Sequence, residues 1–184
     1  MRCWEPADAP LCRHAIDSSL PELRPWIPWA KHEPSSLPEL KARLAAYRRD
    51  FLEGRNALYA VLDRGETEVL GGAGLYRRVG PGALEVGYWI RSDQAGRGLA
   101  TEAAGALTGA ALATDGIDRI EIHCDPRNVA SAAIPRKLGY RYRETSIGNA
   151  RTPDGEPRDT MIWELTAAEY RARGSDDDEK GNET

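Results

Sequence analysis

The feature that most restricts how this chain can fold is a change of period near residue 90. Before it, three strand-like runs, Ala57–Leu62, Val69–Tyr76 and Ala83–Ile90, are joined by Asp63-Arg64-Gly65-Glu66 and Val79-Gly80-Pro81-Gly82, short turns rich in residues that interrupt regular structure. Three such runs in succession predict an antiparallel meander. After it, an Ala- and Leu-rich segment over 98–114 predicts a helix closed by Gly116, Ile120, Ile122 and Cys124 alternate as a strand, and 128–138 predicts a second helix. Two more strands, 140–147 and 160–165, flank the turn Thr152-Pro153-Asp154-Gly155. Strands joined through a helix pair in parallel. The expected fold class is therefore α/β, with a mixed, mostly antiparallel twisted sheet of about six to seven strands flanked by helices.

Ahead of the meander, 10–19 and 20–30 predict short helices around Leu11, Ile16, Leu20 and Leu23, separated by prolines. Ser35 and Ser36 can cap a longer helix in which Leu40, Leu44, Tyr47 and Phe51 form one apolar stripe that should pack on the sheet.

With 184 residues, 41% of them hydrophobic, the chain can bury one core. Residues 1–173 are expected to form a single domain and 174–184 an acidic disordered tail. The net charge of −4 lies in that tail, where Asp176, Asp177, Asp178, Glu179 and Glu183 stand against Lys180; the remainder is balanced. A neutral body gives no reason to expect a nucleic-acid or anionic-membrane partner. Cys3, Cys12 and Cys124 show no pairing or zinc spacing, so no metal is expected. The absence of a signal-like or membrane-spanning apolar run points to the cytoplasm.

The residues richest in chemical meaning start at the period change. Gly96-Arg97-Gly98-Leu99-Ala100-Thr101 is a glycine-punctuated turn between a strand and a helix. The first amides of a helix lack intrahelical partners and, with no bulky side chain above them, suit a phosphate or pyrophosphate; Arg97 adds positive charge. A helix entry with two turn glycines is the plainer reading. Walker A chemistry is excluded, because no Gly-Lys-Ser or Gly-Lys-Thr follows. A dinucleotide fingerprint would need Gly or Ala where Thr101 stands and would open a series of parallel units.

About thirty residues on lies Asn128-Val129-Ala130-Ser131, followed through Pro135 to Leu138-Gly139-Tyr140. With Leu23-Arg24-Pro25-Trp26-Ile27-Pro28-Trp29-Ala30, Leu84-Glu85-Val86-Gly87-Tyr88-Trp89-Ile90, the Gly96 to Ala103 block and Arg158-Asp159-Thr160, this segment resembles the GCN5-related N-acetyltransferase (GNAT) superfamily, in its RimJ/RimL-like branch. These blocks, in this order, span nearly all of the chain before the tail.

The resemblance implies the GNAT fold and transfer of acetyl from acetyl-CoA to a primary amine, directly within a ternary complex. It assigns the CoA pyrophosphate to Gly96, Arg97, Gly98, Leu99, Ala100 and Thr101. The pantetheine arm would lie along Trp89, Ile90 and Arg91, where the strand splays from its neighbour, and Asn128 and Ser131 would stand near the thioester. Glu85 matches a strand glutamate that serves as base in several relatives. The tyrosine that many relatives carry as general acid is replaced by Pro135, so Ser131 inherits that role, with helix capping as its plainer one. Trp26, Trp29, His32 and Glu33, with Asp154 and Asp159, are candidates for the acceptor side.

An α-amino group, with a pKa of about 7.7 to 8.0, is partly neutral at pH 7, so a protein or peptide N-terminus is the leading acceptor class. A small-molecule amine such as an aminoglycoside or polyamine is the alternative, and a non-catalytic acyl-CoA-binding module is the rival from another class. The protein is expected to act as a monomer or homodimer.

Overall fold

The computed structural model of the protein describes residues 1–152 and 154–180, with 174–180 by backbone alone. Pro153 of the predicted turn and 181–184 of the predicted tail lie outside the described residues. The chain opens on β1 (Arg2–Cys3), a strand too short to register as an alternation, which pairs antiparallel with β2 (Ala57–Leu62). Between them come α1 (Ala9–Asp17), α2 (Leu20–Leu23) and α3 (Leu37–Leu52). The expected helix over 20–30 stops at Leu23 and resumes as a 3-10 turn, Pro28–His32. Pro25 and Pro28 explain the break, since neither can donate a backbone hydrogen bond. Ser36 and Glu39 form a reciprocal capping box at the start of α3.

The meander forms as its turns require, with β2, β3 (Val69–Tyr76) and β4 (Ala83–Ile90) in antiparallel register. Then α4 (Leu99–Leu112), β5 (Arg119–Cys124), α5 (Val129–Lys137), β6 (Arg141–Arg151) and β7 (Pro157–Thr166) complete a seven-stranded sheet, ordered β1-β2-β3-β4-β5-β7-β6. The last helix, α6 (Ala167–Lys180), starts on a Thr166 hydroxyl that accepts from the Glu169 amide, and its backbone continues through the beginning of the stretch read as a tail.

The sheet has a core on each face. Ile120, Ile122, Leu165 and Val86 meet Ala104 and Leu107 of α4 on one side. Leu40 and Leu44 of α3 pack with Ala15, Ile16 and Val69 on the other. The pleat sends alternate residues of each strand to opposite cores, which is why the central strands read as almost continuously apolar.

The interruption that matters lies at the centre of the sheet. β4 and β5 pair in parallel only at Ala83↔Arg119, Leu84↔Ile120 and Glu85↔Glu121. β4 continues to Ile90 and β5 to Cys124, so beyond Glu85 the two strands part and leave an opening.

Candidate active site

A cavity of about 1150 Å³ occupies this opening. One end of it is the glycine turn. Gly96 and Gly98 adopt φ of 76° and 85°, a left-handed conformation that side chains disfavour, and a Cβ on either would meet nothing within 4 Å. Gly98 caps α4 without a side-chain bond, and the first bond of the helix runs from the Glu102 amide to the Gly98 carbonyl at 3.0 Å. The amides of Leu99, Ala100 and Thr101 therefore stand at the helix mouth with no acceptor among the described residues. Arg97 bonds to the side chain of Gln94 and leaves those amides uncovered.

The opposite end is the mouth of α5. Asn128 accepts the Ser131 amide at 3.0 Å, as an N-cap should. Pro135 sits four residues beyond Ser131 inside the helix and has no N–H to give to the Ser131 carbonyl. That carbonyl instead accepts the Tyr88 hydroxyl at 3.2 Å, and the Tyr88 oxygen lies 3.3 Å from Ser131 Oγ. Burial pushes the Tyr88 phenol well above its ordinary pKa, against the opposing effect of the Ser131 bond, so it stays protonated near neutrality. Cys124 also lines the cavity, and burial raises its thiol pKa too.

Along the wall, both Glu85 oxygens accept from Arg78, Nε at 2.7 Å and Nη2 at 2.5 Å. Trp89 lies across β3, where a Cβ on Gly72 would fall 2.6 Å from its Nε1, and meets Trp29 edge to face at 5.9 Å between centroids. Trp26 and Trp29 line the same cavity, and Arg158 donates from Nη1 to the Trp26 carbonyl at 2.9 Å, joining β7 to the N-terminal segment. Arg158 Nε is buried without a hydrogen-bond partner among the described residues.

Residues 1–141 match the acetyltransferase (GNAT) domain. The chain belongs to the GNAT acetyltransferase family. No curated protein sequence matches it. Among solved structures, RimL, the ribosomal L7/L12 α-N-protein acetyltransferase, in complex with coenzyme A, superposes with a TM-score of 0.81 at 18% identity, over 90% of this chain and 92% of that one. The Vibrio fischeri ribosomal-protein-S5-alanine acetyltransferase gives 0.80 at 20% identity, over 90% and 91%. The microcin C7 self-immunity acetyltransferase MccE, in complex with acetyl-CoA and AMP, gives 0.80 at 16%, over 89% of each chain. The seven-stranded sheet is that of GNAT structures, and the protein is an acetyl-CoA-dependent acetyltransferase.

Within this GNAT chain, the structure brings Glu85, Trp89, Ile90, Gly96, Gly98, Leu99, Ala100, Thr101, Asn128, Ser131, Trp26 and Trp29 to one cavity. Six other candidates do not line it, His32 and Asp154 among them. Arg91 is buried in pairs with Asp93 and Glu68, which fix the start of the glycine turn. Arg97 lies outside on Gln94. Glu33 is wholly buried and binds Ser35 and Arg43, so it braces the entry to α3. Asp159 accepts the Gly148 amide at 2.9 Å and holds the β6–β7 hairpin, while Arg158 and Thr160, its neighbours on the other face of the strand, line the cavity.

Sequence reasoning missed Arg78, Tyr88, His123 and Arg158. His123 carries a usable signal: it falls two residues after Glu121 on the strand face opposite Ile120, Ile122 and Cys124.

Asp125, at the β5–α5 turn, is nearly fully covered and accepts both the Arg127 amide at 2.8 Å and its guanidinium. The Arg127 guanidinium holds this carboxyl below its usual pKa, burial opposing and the Arg127 amide assisting. A depressed folded-state pKa stabilises the fold above the unfolded value of about 3.9, and that stability is lost as pH falls through the folded value. Asp125→Ala should cost about 1–3 kcal/mol at pH 7. Urea midpoints of native and variant should converge as the pH is lowered toward 2; a constant gap would exclude the ion pair as the cause.

Proposed function

We propose that this acetyltransferase acylates the N-terminal amine of a protein or peptide, by direct transfer within a ternary complex. Glycine-flanked amides with no acceptor suit the CoA pyrophosphate, and they lie at one end of a gap whose β4 edge can pair with an extended pantetheine arm. CoA supplies the activated acetyl thioester. Trp89 and Ile90 flank the arm, and Asn128 fixes the α5 mouth beside it.

Ser131, oriented by Tyr88, donates its hydroxyl proton in a hydrogen bond to the departing sulfur. Glu85 gives the acceptor nitrogen a counter-charge. With both oxygens already bonded to Arg78, it suits that role better than the base that the resemblance implies. Cys124 does not intervene as an acyl carrier, because a thiol whose pKa is raised by burial is a poor nucleophile.

The observation that carries the acceptor class is the charge of the cavity. Glu85 is paired with Arg78, Asp125 with Arg127 and Arg43 with Glu33, which leaves Glu22 against Arg158 and Lys137 among the charges that line it. Such a wall repels polyamines and aminoglycosides, whereas a peptide brings one ammonium and backbone carbonyls that can accept from Arg158 Nε. Trp26 and Trp29 provide apolar surface for its first side chains. RimL and the S5-alanine enzyme, by their names, act on ribosomal proteins, which agrees with a cytoplasmic acceptor of this class.

Among the described residues no His, Cys, Asp and Glu group is arranged to hold a metal, and no helix is long and apolar enough to cross a membrane. Thiol release from acetyl-CoA should be fast with peptides bearing a free N-terminus and absent with the same peptides N-terminally blocked. Faster release with spermidine or an aminoglycoside would overturn the acceptor assignment, and CoA binding without release for any amine would overturn the transfer itself.

A further inference from the structure

The parting of β4 and β5 leaves an imidazole between two carboxylates at the lip of the gap. Glu85 and Glu121 are the last residues paired in the parallel register. His123 follows on the same face of β5 and lines the cavity. Its Nε2 lies 2.7 Å from Oε2 of Glu121, and its Nδ1 lies 3.6 Å from Oε2 of Glu85.

The surrounding charges are specific. Glu121 on β5 is buried and also receives Arg119 Nε at 2.9 Å and, from β6, Arg143 Nη1 at 3.4 Å. Glu85 on β4 receives Arg78 from the preceding turn. Asp125, in the turn after β5, is closed by Arg127, and β7 places the apolar Ile162 opposite His123 and Glu164 opposite Glu121, where Glu164 shares Arg143.

A buried carboxylate accepts and cannot donate, so Glu121 fixes the imidazole proton on Nε2 and leaves the Nδ1 lone pair exposed. Nδ1 and Glu85 Oε2 are then two acceptors facing one another across 3.6 Å with no proton between them. A group carrying several N–H donors satisfies both, and a primary ammonium is such a group. We propose that His123 takes the proton from the acceptor ammonium, with Glu85 holding the cation and Glu121 fixing the tautomer. This rests on the reading of the protein as an amine acetyltransferase.

In the step, one ammonium N–H bond breaks and its proton passes to Nδ1, giving an imidazolium flanked by two carboxylates. The freed nitrogen pair forms the C–N bond to the thioester carbonyl carbon. The C–S bond breaks with its electrons on sulfur, which departs as the thiol with a second nitrogen proton. The third proton stays on the amide, and the imidazolium releases its own to water through the opening.

His123→Gln keeps a side chain able to bond Glu121 and removes the base. With acetyl-CoA and an alanine-initiated peptide, kcat/KM should fall on the order of 100-fold at about pH 6.5, where the amine is mostly protonated, and by less than about tenfold at about pH 9.5, where it is mostly neutral. KM for acetyl-CoA should not change. Imidazole added to His123→Ala should restore part of the rate. A loss of equal size at both pH values, or no loss, overturns the proposal. If the glutamine variant does not fold, His123→Asn carries the same comparison. Failure of the native protein to release thiol with any amine would instead remove the transfer reading, and this proposal with it.

Discussion

In Ala100→Asp, CoA affinity falls at least about 100-fold while the fold keeps its stability to within about 1 kcal/mol. The two outcomes diverge because the same amides serve both. Ala100 lies in the first turn of α4, where Leu99, Ala100 and Thr101 present N–H groups with no acceptor beneath an open glycine turn. A carboxylate there accepts those amides and complements the positive end of the helix, a gain of about 0.3–1 kcal/mol that offsets the poorer helix propensity of aspartate. A pyrophosphate competing for the same donors meets a fixed negative charge and loses several charge-assisted hydrogen bonds. Titration calorimetry with CoA and a thermal melt test the pair of outcomes together. Retained CoA affinity in a well-folded variant would remove this turn from the cofactor site.

Tyr88→Phe should lower kcat on the order of 10- to 100-fold with CoA affinity unchanged, and should destabilise the protein by about 1–3 kcal/mol. The stability loss follows from Pro135. Its missing N–H leaves the Ser131 carbonyl dependent on the Tyr88 hydroxyl, so removing that hydroxyl strands a half-buried acceptor. The rate loss follows from the same contact, because Ser131 Oγ loses the partner that orients it. The two residues should act as one unit. Ser131→Ala combined with Tyr88→Phe should cost little more than the worse single change, and a double-mutant cycle on kcat measures this. Fully additive losses would mean that Tyr88 supports the fold alone.

Regular repetition made much of the sheet readable in advance. Alternating runs and breaker-rich turns located β2, β3 and β4, and the Ala-rich stretch after Gly98 located α4, because period and turn chemistry are local properties. β1 escaped because two residues carry no period. The apolar spacing of 20–30 suggests one helix, but Pro25 and Pro28 divide it in the structure.

Within the site, the glycine turn and the Asn128 cap depend on neighbours within a few residues and were legible. The Tyr88–Ser131 contact joins positions 43 apart, and no local rule pairs a carbonyl freed by Pro135 with a phenol on a central strand. The side-chain partners of Glu33 and Arg91 are hidden from the sequence for a related reason. A charged side chain beside a motif suggests ligand contact, yet both are buried with protein partners that only the packed structure supplies.

The interruption between β4 and β5 gives the sheet two internal margins in addition to its outer ones. It arises from how the strands are registered, so it exists before any ligand arrives and needs no hinge. Backbone amides of Val86 to Ile90 that face it should exchange with deuterium as readily as those on a peripheral strand, although layers of helix cover them above and below. Capture of the thioester arm would then appear as an island of slowed exchange in the middle of the molecule, against a periphery that stays unchanged.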